Sequence, residues 1–333
     1  MTKRNSMSRR QFIGAVTTAT VAGTTMTMFS PKNARAAGGP IKLAFVPKAL
    51  NNPVFEVTRW GAEDRINELG GDVEFRWVGP TTTDAAAQAQ IIDDLVIQGV
   101  DGICLSCNDP DALVPAINRA VMEGVTVITW DADSPTSQRA TNVSINQEAA
   151  GAEAGRLVAK MAPKGKLAIL TGTPGALNLE QRVAGFRSVV DQHADIEVIA
   201  TDPCNDDVQR AVEIVEQRIN ATPDLSAYFF VGMWPFFADL KTMPQLKAFV
   251  DRGGVCVSLD ALEGALNAVD QGYANALVGY SWWGFGQAAV DVLLAKIQDG
   301  VDPADPMYTE LFIVDEGNIG DYMKLQSETG GRF

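Results

Sequence analysis

The sequence predicts an α/β protein made of two doubly wound parallel-sheet domains, and two observations carry that prediction. From Ile41 onward, short apolar runs alternate with amphipathic ones. Such a βαβα order gives parallel sheets with helices on both faces. The strands are too many for one sheet, and each half of the chain begins alike, with a strand, a loop and a helix with a polar N-cap.

The first strand, Ile41–Val46, is a short apolar run of the kind buried on both faces. After a loop, Asn52-Pro53 stands in N-cap and N1 position for a helix over 53–69. Strands are then expected at Val73–Val78, Gly102–Ser106, Val125–Thr129, Leu167–Leu170, Ile196–Ala200, Ala227–Val231 and Val255–Leu259. Helices are expected between them at 84–98, 110–122, 147–162, 178–192, 206–220, 236–251 and 261–270, with one more at 284–298. The run Ala140–Asn146 is a polar break and marks a first passage between domains; Glu328–Phe333 reads as a frayed end.

Ligands of open α/β sheets bind at strand-to-helix junctions. The first junction carries an ammonium (Lys48), two carboxamides (Asn51, Asn52) and an aromatic ring (Phe55), and it lacks a glycine-rich phosphate loop. That set suits a small, polyhydroxylated, uncharged or weakly charged ligand better than a nucleotide.

Residues 1–36 read as an export signal outside the fold. Lys3, Arg4, Arg9 and Arg10 form a basic start, and Ser8-Arg9-Arg10-Gln11-Phe12-Ile13-Gly14 resembles the twin-arginine consensus. Ala34-Arg35-Ala36 supplies small residues for cleavage before Ala37, and Phe12–Phe29 is polar for a membrane anchor. The mature chain is expected in a periplasm, exported by the twin-arginine route. The formal charge of the whole chain is −14, and losing six basic and no acidic residues takes it to −20. That balance argues against nucleic acid and anionic membranes as partners.

The four cysteines are Cys104, Cys107, Cys204 and Cys256. A redox Cys104–Cys107 pair is disfavoured, because three residues of extended chain span roughly 10 Å and disulfide Cα atoms lie about 4.4–6.8 Å apart. A Cys204–Cys256 bridge stays open at this level. With one histidine, no cysteine cluster of metal-ligand spacing and no Gly-x-Gly-x-x-Gly after a strand, neither a metal nor a nucleotide cofactor is expected.

Five stretches occur in a telling order: Phe45-Val46-Pro47-Lys48 with Asn51-Asn52-Pro53-x-Phe55, Gln90–Ile103, Asn108–Leu113, Gly124–Asp133 and Gln181–Phe186. Together they resemble the periplasmic sugar-binding proteins of the ribose-binding type, which feed ABC importers, and the resemblance runs over Ile41–Val314. Phe45–Lys48 and Thr129–Ser134 are also similar to the autoinducer-binding branch. The resemblance implies the periplasmic binding protein type I fold, with three crossover segments near Val143, Tyr280 and Thr309. It implies an N-terminal domain of 37–143 plus 281–309 and a C-terminal domain of 144–280 plus 310–333.

It also implies ligand-binding roles for Asn52, Phe55, Asp131, Arg182 and Asp260, each weighed against a plainer one. Asp131 ends a strand and suits vicinal hydroxyls, or it caps a helix or a hinge. Asp133 is a weaker partner and fits a turn as well. Lys48 and Arg182 donate to ligand oxygens, neutralise Asp131 and Asp260, or do both. Asn52 and Asp260 are also placed to cap helices. Trp234 follows a strand end and is read as a stacking platform. In Gly279–Gly284, at most one of Trp282 and Trp283 faces the ligand, with Tyr280 beside them; Trp77 and Trp130 read as core and His193 as surface.

Departures from the ribose pattern are Ala132 where an Arg is expected, Lys48 in place of Ser or Thr, Val54 in place of a second ring, and Met233–Phe236 near an expected Asn-Asp pair. The expected function is therefore delivery of a monosaccharide or sugar alcohol to an inner-membrane ABC permease, by a monomer without catalytic residues. A receptor for a furanosyl autoinducer or a chemotaxis ligand is the alternative within the fold. An exported sugar-active enzyme is the alternative outside it, resting on the pair Asp131 and Asp133 alone.

Overall fold

Strand β1 (Ile41–Val46) illustrates how the hydrophobic pattern builds the core, in a computed structural model that describes residues 39–50 and 52–333. Leu43, Ala44, Phe45 and Val46 are all fully buried. Successive side chains of a strand face opposite sides. Leu43 and Phe45 accordingly enter one apolar cluster with Cys104, Ile128 and Trp130, while Ala44 and Val46 enter another with Ile92, Ile103, Leu105 and Ile117. A strand apolar on both faces needs helices on both, which the βαβ order supplies.

The chain runs β1, α1 (Val54–Leu69), β2 (Val73–Trp77), α2 (Ala85–Ile97), β3 (Gly102–Leu105), α3 (Val114–Met122), β4 (Thr126–Trp130) and β5 (Asn142–Ser144). It continues with α4 (Gln147–Met161), β6 (Gly165–Thr171), α5 (Leu177–Val190), β7 (Ile196–Pro203), α6 (Val208–Ala221) and β8 (Leu225–Phe230). It ends with α7 (Pro244–Asp251), β9 (Val255–Leu259), α8 (Glu263–Asp270), β10 (Ala276–Gly279), α9 (Trp282–Asp299), β11 (Met307–Tyr308), β12 (Phe312–Asp315) and α10 (Ile319–Thr329). One sheet has the order β11-β5-β4-β3-β1-β2, the other β12-β10-β9-β8-β6-β7. Among the described residues, the strand pairings are parallel except that of β10 with β12.

The chain passes between the sheets three times: after β5, between β10 and α9, which packs on α1, and between β11 and β12. No helix among the described residues is long and apolar enough to cross a membrane. The twin-arginine stretch and residues 1–36 lie outside the described residues, as does Asn51.

Several expectations are corrected. The polar break Ala140–Asn146 contains β5, a three-residue strand too short to show a period. The helix expected over 236–251 is divided into 3-10 turns at Trp234–Phe237 and Leu240–Thr242, followed by α7. Pro244 lacks an N–H and pushes Met243 out of helical geometry, to φ −118° and ψ 58°. The C-terminal end is not frayed. Beyond α10, Arg332 Nε donates to Asp64 Oδ2 at 2.9 Å, and the Phe333 carbonyl accepts from Ser281 Oγ at 2.6 Å. All four cysteines are free and buried, so Cys204 and Cys256 are not bridged.

Candidate functional site

The C-terminal ends of strands from both sheets converge on one narrow cavity. From the first sheet come Lys48, Asn52 and Phe55 around the β1–α1 junction, and Asp131 after β4. From the second come Arg182 and Asn178 on α5, Asp206 after β7, Trp234 after β8 and Asp260 after β9; Trp282 opens α9.

Two tight helix contacts set these positions. A Cβ at Gly151 of α4 would lie 1.9 Å from the Arg182 carbonyl oxygen. A Cβ at Gly61 of α1 would lie 1.9 Å from that of Trp283, one residue from Trp282. Glycine at both sites lets α4 close on α5 and α1 on α9, which fixes the depth of Arg182 and of the Trp282 ring.

Asp131 and Asp260 occupy matching places in the two sheets. Both follow a central strand, both take left-handed backbone (φ 56° and 73°), and each N–H donates to the neighbouring strand, to the Val143 and Val278 carbonyls. Non-glycine residues hold that conformation only where surrounding structure fixes it, commonly at functional sites.

The Asp131 carboxylate accepts from Asn178 Nδ2 at 3.1 and 3.0 Å on its two oxygens, and from Arg182 Nη2 at 3.1 Å. Lys48 Nζ donates to Asn178 Oδ1 at 2.9 Å. Asn178 therefore links two buried first-sheet charges across the cleft. Arg182, 2% exposed, also donates to Gln147 Oε1 (2.7 Å), the Val231 carbonyl (3.1 Å) and the Tyr280 hydroxyl (2.9 Å). Burial opposes its charge, but Tyr280, Asp131 and Asp260 outweigh burial and raise its pKa above the ordinary value. Asp260 accepts from Trp282 Nε1 (3.0 Å) and the Met233 N–H (3.2 Å). Burial raises the Asp260 pKa above the usual carboxylate value, against the pull of Arg182 and of hydrogen bonds from Tyr280 and Trp282.

The aromatic wall consists of Phe55, Trp234, Phe237 and Trp282. Phe55 lies edge-on to Trp282, with centroids 5.9 Å apart, and edge-on to the buried Trp130 at 5.4 Å. Asn52 Oδ1 accepts from the Val54 N–H at 3.2 Å, so it supports the start of α1 while lining the cavity. The choice between the paired tryptophans is decided by geometry. Trp282 lines the cavity, whereas Trp283 Nε1 donates to Asp64 Oδ2 on α1 at 2.9 Å.

Tyr280 stands behind Arg182 rather than on the cavity wall; burial pushes its hydroxyl well up in pKa. Asp133 is not brought to this cavity. It pairs with Arg139 at 2.6 Å, accepts from Thr129 Oγ1 at 2.6 Å, and lines a neighbouring groove with Asp305 that Asp131 also borders.

Sequence reasoning missed Asn178, Gln147 and Asp206. Asn178 was legible in principle: it stands four residues before Arg182 on one helix and shares its face. Asp206 carried only the weaker signal of following a strand. Among the described residues, no group of His, Cys, Asp or Glu is arranged to hold a metal ion.

Residues 43–300 match the family described as periplasmic binding protein domain. An ABC transporter solute binding protein from Burkholderia graminis C4D1M, solved in complex with D-arabinose, is 32% identical, with a TM-score of 0.80 over 85% of this chain and 98% of that one. The xylose/arabinose-binding protein of Sulfolobus acidocaldarius is 28% identical over 57% of this chain and 49% of its own length. The xylitol-binding protein of Mycolicibacterium smegmatis is 29% identical over 60% of this chain and 57% of its own. The chain thus spans about half the length of these curated relatives.

Proposed function

The chain belongs to the periplasmic binding protein domain family, and from that premise we propose that it is the substrate-binding protein of an ABC importer for a monosaccharide or sugar alcohol. The observation that carries the proposal is the cavity where Asp131, Arg182 and Asp260 meet at strand ends of two sheets. Carboxylates and a guanidinium accept from and donate to hydroxyls, while Trp234 and Phe55 offer apolar faces to C–H groups. The similarity to proteins described as binding D-arabinose, xylose/arabinose and xylitol supports that ligand class.

In this reading the lobes are 37–143 plus 281–309 and 144–280 plus 310–333, and they close on the ligand about the three passages between sheets. Lys48, Asn52, Phe55 and Asp131 bind from one lobe, and Arg182, Trp234 and Asp260 from the other. Ligand hydroxyls exchange with the links that Asn178 and Arg182 make to Asp131. Closure is favoured by the ligand's higher affinity for the closed form, and it presents a joint surface to an inner-membrane permease. The protein works as a monomer in the periplasm after twin-arginine export, and it catalyses no reaction.

A thermal-shift and calorimetric panel of D-arabinose, D-ribose, D-xylose, D-allose, D-galactose and xylitol tests this. A bound sugar at 100 times its dissociation constant stabilises by about 2.7 kcal/mol. Absence of binding by every member refutes the proposal.

A further inference from the structure

Asp206 lines the same cavity from the β7–α6 loop, opposite the first-sheet residues. Its Oδ2 accepts from Thr173 Oγ1 at 2.7 Å and lies 3.5 Å from Thr83 Oγ1, which belongs to the β2–α2 loop of the other sheet. Asn205 and Asp206 both hold left-handed backbone, at φ 56° and 58°. The carboxylate is wedged beside the Trp234 ring. A Cβ on Gly172 would lie 2.2 Å from Asp206 Oδ1 and 2.6 Å from Trp234 Cζ2, so glycine there makes room for both groups.

The charges around the cavity do not balance. Three carboxylates (Asp131, Asp206, Asp260) face two cations (Lys48, Arg182), a formal net charge of −1. The other two carboxylates are engaged by nitrogen donors: Asp131 by Asn178 and Arg182, Asp260 by Trp282 and the Met233 N–H. The hydrogen-bond partners described for Asp206 are threonine hydroxyls alone. A carboxylate has about four acceptor sites, so Asp206 keeps capacity for ligand hydroxyls next to an aromatic platform.

Resting on the sugar-binding reading, we infer that Asp206 is a specificity-determining residue, which accepts hydroxyls of a neutral polyol or aldose and excludes its acidic counterpart. The excess negative charge repels the carboxylate of an aldonic acid and equally a sugar phosphate, whereas a neutral ligand meets only an acceptor.

Calorimetry on the unaltered protein and on Asp206→Asn, using D-xylose, xylitol and D-arabinose and the aldonates D-xylonate and D-arabinonate, tests this. The unaltered protein is expected to bind its best neutral probe at least 100-fold tighter than the matched aldonate. Asp206→Asn is expected to lose at least tenfold in neutral affinity and to narrow that ratio at least tenfold. Thr173→Val removes the hydroxyl donor and keeps the charge, so it is expected to keep the discrimination. Neutral affinity within threefold of the original in Asp206→Asn, an unchanged ratio, or equal loss of discrimination in Thr173→Val overturns the inference and leaves sugar binding standing. Failure of every probe, neutral and acidic, on the unaltered protein overturns both.

Discussion

Replacing Arg182 with Met tests whether the buried charges of the cavity form one electrostatic unit. The side chain keeps most of its length but loses its donors to Gln147, the Val231 carbonyl, Asp131 and Tyr280. Asp131 and Asp260 are 3% and 4% exposed, so water does not replace the missing charge. Breaking a buried pair by removing one partner costs about 3–5 kcal/mol. At roughly 1.6 °C per kcal/mol for a chain of about 300 folded residues, the expected fall in Tm is about 5–8 °C near neutral pH.

The loss carries a pH signature. Burial already raises the Asp260 pKa in the folded protein, and Arg182 is the largest opposing influence. Without the guanidinium the folded state holds that proton to still higher pH, while the unfolded chain titrates as before. A carboxyl whose folded pKa is raised loses stability as pH rises through the window above its unfolded value. The deficit of Arg182→Met is therefore smaller at about pH 5 than at about pH 8. Differential scanning calorimetry across that range, with Arg187→Met as control, provides the measurement. Arg187 pairs with Asp191 in solvent, and exposed pairs are worth about 0–1 kcal/mol. A Tm loss no larger than the control's, or a deficit that grows toward acid, refutes the reasoning.

Two further predictions follow from packing. Gly151→Ala puts a methyl 1.9 Å from the Arg182 carbonyl oxygen, so α4 must move off α5. Overpacking of this kind costs about 1–3 kcal/mol, and sugar affinity measured by calorimetry is expected to fall although the residue lines no part of the cavity; an unchanged affinity and Tm contradict this. The four free thiols are buried, and the Cys204 thiol is pushed up to about 12, mainly by burial. A thiol-reactive chromophore is expected to titrate four thiols in denaturant and none rapidly in the native protein, with or without prior reduction; fast native labelling would contradict the burial.

The strands that could be read from the sequence are those whose burial imposes a period. Ile41–Val46 and Val255–Leu259 fall where expected because a central strand is apolar on both faces. The short strands β5, β10, β11 and β12 were not legible: two to four residues carry no period, and their pairing depends on partners elsewhere in the chain. The same division runs through the site. Asp131 and Asp260 were legible as the residues closing apolar strands. Asp133, two residues on, goes to Arg139, and Asp206 comes into the cavity with no motif to announce it.

By itself the sequence determined the alternation of strands and helices, the junctions where a ligand meets strand ends, and the chemical kinds of group gathered there. Those follow from hydrophobic period and residue chemistry, which are local. Only the tertiary structure decided which carboxylates share one cavity, that Trp282 rather than Trp283 faces it, and that Asn178 joins Lys48 to Asp131 across the cleft. Such meetings depend on helix approaches as close as those at Gly61 and Gly151 and on left-handed turns at Asp131 and Asp260. Contacts between residues distant in the chain set that geometry, so no single stretch of sequence encodes it.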